Sequence, residues 1–194
     1  MDKLKEIENY ARQNHIPIVL PETATFINDF CKKNLPKRIL ELGTAIGYSG
    51  ALMLLASPES SLITIERDAE RITKAKETFK LFNLENRVKI IDADATEFIK
   101  TLDEKFDLIF LDANKSKYFE QLPYLINLMS ENGTLIADNI MFHGMVLNNE
   151  YPKHKHRTSI LNMRKFITLA EKSLKNYQLL PIGDGIIIGN KKSD

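Results

Sequence analysis

Apolar residues recur along this chain with two periods, and the regular switching between them predicts its architecture. Residues 2–14 set Leu4, Ile7, Tyr10 and Ala11 at helical spacing among charges. The pattern stops near Ile16-Pro17, because proline disfavours helix in the residue before it. An extended piece, 17–20, leads to Pro21-Glu22-Thr23, a helix start with proline in the first turn and Phe26, Ile27 and Phe30 on the buried face. Beyond Arg38, short β-type runs alternate with amphipathic segments. Strands are expected through Ile39, Leu40 and Leu42 and at 61–65, 87–91, 106–111 and 133–137; helices are expected at 51–56, 68–81, 95–102, 119–129 and 158–172. Asp68 stands where it caps the second of these helices. The run 106–111 is almost unbroken in hydrophobicity, as a strand covered on both faces is. Two last strands, 177–181 and 185–188, flank the turn Ile182-Gly183-Asp184 as a hairpin.

This alternation implies an α/β fold: a doubly wound, mostly parallel seven-stranded sheet with an antiparallel C-terminal hairpin. The N-terminal helices are expected beside the sheet as a lid or a dimer surface. Ligands of such sheets gather outside the carboxyl ends of the strands, so Glu41 with its loop, Glu66, Asp112 and Asp138 are expected at one rim. No repeat or linker divides the chain. It reads as a single domain over 1–194, a helical cap over 1–33 and a core over 36–190, and 194 residues suffice for one substantial core. No apolar run approaches the ~20 residues of a membrane span, and MDKLKEIENY is too charged for a secretory signal, which points to a cytoplasmic protein without membrane contact. The one cysteine, Cys31, excludes an internal disulfide and reads as a packed small hydrophobe. A net charge of +1 demands no polyanionic partner, so any such argument rests on local clustering.

Candidate chemistry begins in RILELGTAIGYSG, residues 38–50. Its glycines at 43, 47 and 50 are spaced G-x-x-x-G-x-x-G, not as the dinucleotide fingerprint G-x-G-x-x-G, and no P-loop lysine follows. Small residues let backbone approach a ligand, and a helix N-terminus just beyond offers N–H groups and partial positive charge. Glu41, two residues before the first glycine, suits a cationic, hydroxyl-rich ligand better than a triphosphate. S-adenosylmethionine, with its ammonium, sulfonium and ribose, has that chemistry; a tight strand-to-helix turn without a ligand is the plain alternative. Glu66 lies 23 positions after Gly43 at a strand end, where an acidic side chain accepts hydrogen bonds from ribose hydroxyls. Its other reading is a surface carboxylate paired with Arg67 or Arg71. Asp94-Ala95 would border the adenine, and Asp94 capping its helix is compatible with that.

Asp112, Asp138 and Asn139 leave the ends of the fourth and fifth strands. Two carboxylates and an amide make an incomplete set of hard oxygen ligands, which suits Mg²⁺ or Ca²⁺, with two capping aspartates as the alternative. Lys115 follows Asp112 by three residues. A lysine beside a dication becomes a proton acceptor, because like charge disfavours an ammonium; otherwise it is one more solvated lysine like Lys117. Between Tyr151 and Asn176, seven basic residues (Lys153, Lys155, Arg157, Arg164, Lys165, Lys172, Lys175) face one acid, Glu171, with His154 and His156 added. Such a segment suits phosphate contacts on an RNA stem-loop, or is a solvated helix face and loop. The two histidines lack a third ligand nearby for a metal.

Taken together, ELGTAIGYS, TIERD, LDANKSKY, ADNIMFHGMV and LPIGDGIII resemble the metal-dependent O-methyltransferases related to catechol and caffeoyl-CoA methyltransferases. More narrowly, they resemble the bacterial tRNA 5-hydroxyuridine methyltransferases. The resemblance runs from HIPIVLPE, 15–22, through the C-terminal hairpin. It implies a Rossmann-like methyltransferase fold, S-adenosylmethionine contacts at Val19, Glu41, Gly43, Ser49, Glu66, Asp94, Ala95 and Asp112, and Mg²⁺ or another dication on Asp112, Asp138 and Asn139. Lys115 would be the base, and a homodimer is implied. Two departures bear on the acceptor: ANKSKY stands where AAKGQY is expected, and the segment 146–158 is short. The implied reaction methylates one of two vicinal oxygens that chelate the cation, after Lys115 takes its proton. 5-Hydroxyuridine at the wobble position of a tRNA anticodon stem-loop has such a pair, and so does a small-molecule catechol. A non-catalytic S-adenosylmethionine-binding protein is the reading that the complete set Asp112, Lys115, Asp138, Asn139 opposes.

Overall fold

The computed structural model describes residues 3–142, 144–146 and 156–192. Seven strands form a mixed sheet in the order β3-β2-β1-β4-β5-β7-β6, the doubly wound arrangement with an antiparallel end. The chain divides into two compact units, residues 1–95 and 96–194. No helix among the described residues is long and apolar enough to cross a membrane.

The first unit opens with α1 (Lys3–Gln13) and α2 (Pro21–Asn34). Pro21 occupies the first turn of α2, where its missing N–H costs nothing, and Leu35 ends the helix in the left-handed region with φ 47°. Cys31 is fully buried in α2, and burial pushes its thiol up to about 12, so it packs as a hydrophobe. Then come β1 (Arg38–Leu42), α3 (Tyr48–Ala56), β2 (Ser61–Glu66), α4 (Ala69–Leu81) and β3 (Val88–Asp92). Strands β1, β2 and β3 pair in parallel, with Glu41 opposite Thr64 and Glu66 opposite Asp92. Asp68 caps α4 by accepting from the N–H groups of Glu70 and Arg71. Arg87 donates to the carbonyls of Leu54, Ser57 and Ser60, answering the orphan acceptors where α3 ends.

Helix α3 starts at Tyr48, not Ala51. Gly47, at φ 80°, ends the loop at once, and Tyr48, Ser49 and Gly50 are all buried. The apolar pattern hid this early start because its first residues are polar or small.

The second unit holds α5 (Ala95–Ile99), which begins at the boundary, then β4 (Phe106–Leu111), α6 (Tyr118–Leu128), β5 (Met129–Ala137), α7 (Arg157–Ser173), β6 (Leu174–Leu180) and β7 (Ile186–Lys191). A single 3₁₀ turn, Lys115–Lys117, precedes α6. β4 and β5 are parallel with Leu111 opposite Ala137, while β7 runs antiparallel to both β5 and β6. The closing hairpin therefore lies where its turn residues predict it.

Strand β5 begins at Met129 rather than Gly133. The apolar pattern ends a helix at Met129 and leaves 130–132 unassigned, yet Met129 already pairs with Phe106, and the register shifts before Leu108. A Cβ on Gly133 would stand 2.8 Å from the Phe106 carbonyl oxygen, so the glycine marks a close backbone approach. Likewise β6 starts at Leu174, buried opposite Lys191, immediately after α7.

Candidate functional site

In the first unit the loop after β1 is tied down on all sides. The N–H groups of Gly43 and Thr44 both donate to the Ile65 carbonyl, at 3.1 and 3.2 Å. Gly43 and Gly47 have φ of 101° and 80°, values that favour glycine. Gly50 serves another purpose: a Cβ there would come within 2.8 Å of Leu62 Cδ2 and 3.1 Å of a Glu41 oxygen, so its lack of a side chain sets how closely α3 lies on the sheet.

Glu41 is wholly buried beneath this loop. It accepts from Ser49 Oγ at 2.5 Å and from Thr64 Oγ1 at 2.6 Å, and the Thr64 hydroxyl meets Thr44 Oγ1 at 2.6 Å. The carboxylate is thus a brace between strand and helix. Glu66 accepts three backbone N–H groups: Ala45 at 3.0 Å on one oxygen, Arg67 at 2.9 Å and Asp68 at 3.1 Å on the other. The described contacts pair neither guanidinium with Glu66. Arg67 pairs with Asp94 at 3.6 Å, and Arg71 with Asp68 at 3.8 Å. Val19 and Ser49 are buried, Gly43, Glu66 and Ala95 are half-buried, and Asp94 is exposed.

The second unit gathers charge differently. Asp112 directly follows β4 and Asp138 directly follows β5, and the Asp138 N–H donates to the Leu111 carbonyl at 3.0 Å, which locks the two strand ends side by side. Asp138 Oδ1 accepts from the Asn139 N–H at 2.7 Å, and Asn139 is held in the left-handed region at φ 56°. Lys115 Nζ lies 3.6 Å from Asp112 Oδ1. Its neighbour Lys117 is engaged elsewhere, with Glu120 at 2.9 Å, so the two lysines are not equivalent.

Burial pushes the Asp112 carboxyl up to about 7; Lys115 works against that rise, and Asp138 adds to it. Two acidic side chains at adjacent strand ends, with Lys115 beside the first, form an acceptor-rich set, and its oxygens have the chemistry a hard dication selects. Among the described residues, no group of three or more His, Cys, Asp or Glu is gathered for a metal. The fit therefore depends on two carboxylates and the Asn139 amide, with remaining positions left to water or acceptor.

The sequence pattern does not single out Tyr118, the last residue of LDANKSKY. It is fully buried, and its hydroxyl donates to the Leu111 carbonyl at 3.0 Å and lies 3.3 Å from that of Asp138. Burial first, then the charges of Asp112 and Asp138, holds this hydroxyl protonated well above its ordinary range. Thr64 was also missed; a hydroxyl opposite Glu41 in parallel register is the signal that points to it.

Helix α7 supplies further supports. Asn162 Nδ2 donates to the Ser116 carbonyl at 2.8 Å, Arg164 Nε donates to the Val146 carbonyl at 3.0 Å, and Phe166 meets the Tyr118 ring edge-on at 5.4 Å. Arg164, counted above among residues for phosphate, thus binds its own chain. Tyr151, Lys153, His154 and Lys155 lie outside the described residues. The His156 ring packs edge-on against Phe142 at 5.4 Å.

Strand order, the glycine loop after β1 and the antiparallel end define a Rossmann-like methyltransferase fold. The O-methyltransferase family model matches residues 1–192. A catechol O-methyltransferase of Niastella koreensis is 33% identical over 135 residues, covering 67% of this chain and 61% of that protein. Tapetum-specific methyltransferase 1 of Arabidopsis thaliana is 27% identical over 191 residues, 94% of this chain and 81% of its own length. The SAH-bound structure of the Podospora anserina methyltransferase PaMTH1 superposes with a TM-score of 0.88 at 27% identity, over 100% of this chain and 89% of that one. The chain belongs to the O-methyltransferase family.

Proposed function

We propose that this protein is a cytoplasmic, single-domain, S-adenosylmethionine-dependent O-methyltransferase of the catechol and caffeoyl-CoA type, acting on a small molecule with two vicinal oxygens. The observation that carries this reading is Lys115 Nζ at 3.6 Å from Asp112, at a strand end locked to that of Asp138, in a member of the O-methyltransferase family. One named relative, a catechol O-methyltransferase, supports the acceptor class, and the solved neighbour with SAH bound supports the methyl donor.

In this proposal Gly43, Glu66, Asp94 and Ala95 hold the nucleoside of the methyl donor, with Val19, Glu41 and Ser49 behind them. A carboxylate offers roughly four acceptor sites, and backbone N–H groups fill three on Glu66, which leaves one for a ribose hydroxyl. Asp112, Asp138 and Asn139 would hold a divalent cation, Mg²⁺ foremost, which would supply the Lewis-acid charge that makes the acceptor hydroxyl more acidic. Lys115 Nζ, as the neutral amine, takes that hydroxyl proton and becomes the ammonium beside Asp112. The acceptor oxygen then forms a bond to the methyl carbon as the carbon–sulfur bond breaks, and S-adenosylhomocysteine leaves.

Transfer of radiolabelled methyl from S-adenosylmethionine to catechol-type acceptors, with Mg²⁺ and then with excess chelator, tests the reading. Methylated acceptor that vanishes with the chelator supports it; undiminished transfer in chelator overturns the metal assignment. Unfractionated tRNA in the same assay tests the narrower reading, methylation of 5-hydroxyuridine to 5-methoxyuridine at the wobble position, which the basic segment after Tyr151 motivates. Label in tRNA and in no catechol would exchange the two acceptors. Sedimentation velocity tests the homodimer expected through the N-terminal helices.

A further inference from the structure

One buried residue, Tyr118, is hydrogen-bonded by backbone or side chain to each segment carrying a proposed ligand or base. The Tyr118 backbone N–H donates to the Lys115 carbonyl and closes the 3₁₀ turn that carries the lysine. Its hydroxyl donates to the Leu111 carbonyl at 3.0 Å, immediately before Asp112, and lies 3.3 Å from the carbonyl of Asp138 itself. Leu111 O also accepts the Asp138 N–H at 3.0 Å, so the two strand ends and the hydroxyl meet at one carbonyl. Phe166 of α7 fixes the ring edge-on at 5.4 Å, and Asn162, one turn earlier, holds the Ser116 carbonyl at 2.8 Å.

We propose that Tyr118, backed by Phe166, is a positioning residue that sets the separation of the Asp112 and Asp138 carboxylates for a divalent cation. The inference rests on the dication reading above and goes beyond it by assigning the support of the site. A hydroxyl in that place is more than a way to fill the core. Phenylalanine would fill the same volume, while only the O–H spans the carbonyls beside which both carboxylates leave their strands. Leu111 O keeps the Asp138 N–H when the hydroxyl is removed, and the Tm measured in parallel reports whether the fold is retained.

The test is Mn²⁺ titration of the full chain, followed by electron paramagnetic resonance, on wild type, Tyr118→Phe and Phe166→Leu, with SAH affinity and Tm measured in parallel. Tyr118→Phe is expected to weaken Mn²⁺ binding about tenfold, the scale of a lost supporting contact around a metal, with SAH affinity unchanged. Phe166→Leu keeps the hydroxyl and loosens its ring, so a loss of about threefold is expected. Wild-type Mn²⁺ affinity in Tyr118→Phe overturns the proposal while leaving the dication reading intact. Equal loss of Mn²⁺ and SAH binding also overturns it, showing general destabilisation. A wild-type chain that binds no Mn²⁺ removes the dication reading and this inference with it.

Discussion

The two ends of the candidate machinery hold their carboxylates in opposite ways. Around the glycine loop, Glu41 and Glu66 are surrounded by donors from their own chain: two hydroxyls for the first, three backbone N–H groups for the second. Beyond β4 and β5, the charge of Asp138 disfavours ionisation of Asp112, and Lys115 Nζ lies 3.6 Å from Asp112 Oδ1. Internal donors make a carboxylate part of the scaffold, shaping a loop that a ligand enters. Carboxylates gathered against their own charge retain acceptor capacity for something outside the chain.

The sharpest break between the regions is expected from Asp138→Ala. It should reduce methyl transfer by at least about 10³-fold, since the proposed cation loses a ligand, while SAH affinity by calorimetry changes less than about twofold. An active Asp138→Ala enzyme would erase the distinction. Glu66→Ala should do the reverse. It frees the Ala45, Arg67 and Asp68 N–H groups and is expected to weaken SAH binding by about 10- to 100-fold, with Mn²⁺ affinity kept. Equal effects of the two variants on both ligands would show that the regions do not act separately. Gly50→Ala carries the smallest expected effect. Its new methyl meets Leu62 Cδ2 at 2.8 Å, so Tm by calorimetry should fall by roughly 4–10 °C, with the Asp112 region still binding Mn²⁺.

Much of the framework is legible in the linear pattern. Strand β4 ends where its apolar run ends, Asp68 caps the helix it precedes, and the Ile182-Gly183-Asp184 turn joins two antiparallel strands. Each of these signals is local: a run of apolar residues, a short acceptor before a helix, a glycine in a turn. The errors fall where a distant contact decides. Met129 enters the sheet because Phe106 is there to pair with it, and α3 starts early because Tyr48, Ser49 and Gly50 have buried surroundings.

At the candidate site, residue type and place at a strand end pointed to Glu41, Glu66, Asp112, Lys115 and Asp138. The partners of those residues were not legible. Arg67 and Arg71 were natural partners for Glu66 by proximity in sequence, yet backbone N–H groups reach it instead. Arg164 counted toward a basic surface, yet its guanidinium is spent on the Val146 carbonyl.

What the sequence determined alone is which chemical groups the chain has and at which strand ends they stand, because period and turn chemistry are properties of neighbouring residues. Tertiary structure decided which of those groups are already satisfied. Satisfaction of these carboxylates depends in part on donors more than 20 positions away, such as Thr64 for Glu41 and the Ala45 N–H for Glu66. No local pattern encodes that distance, and only the folded chain closes it.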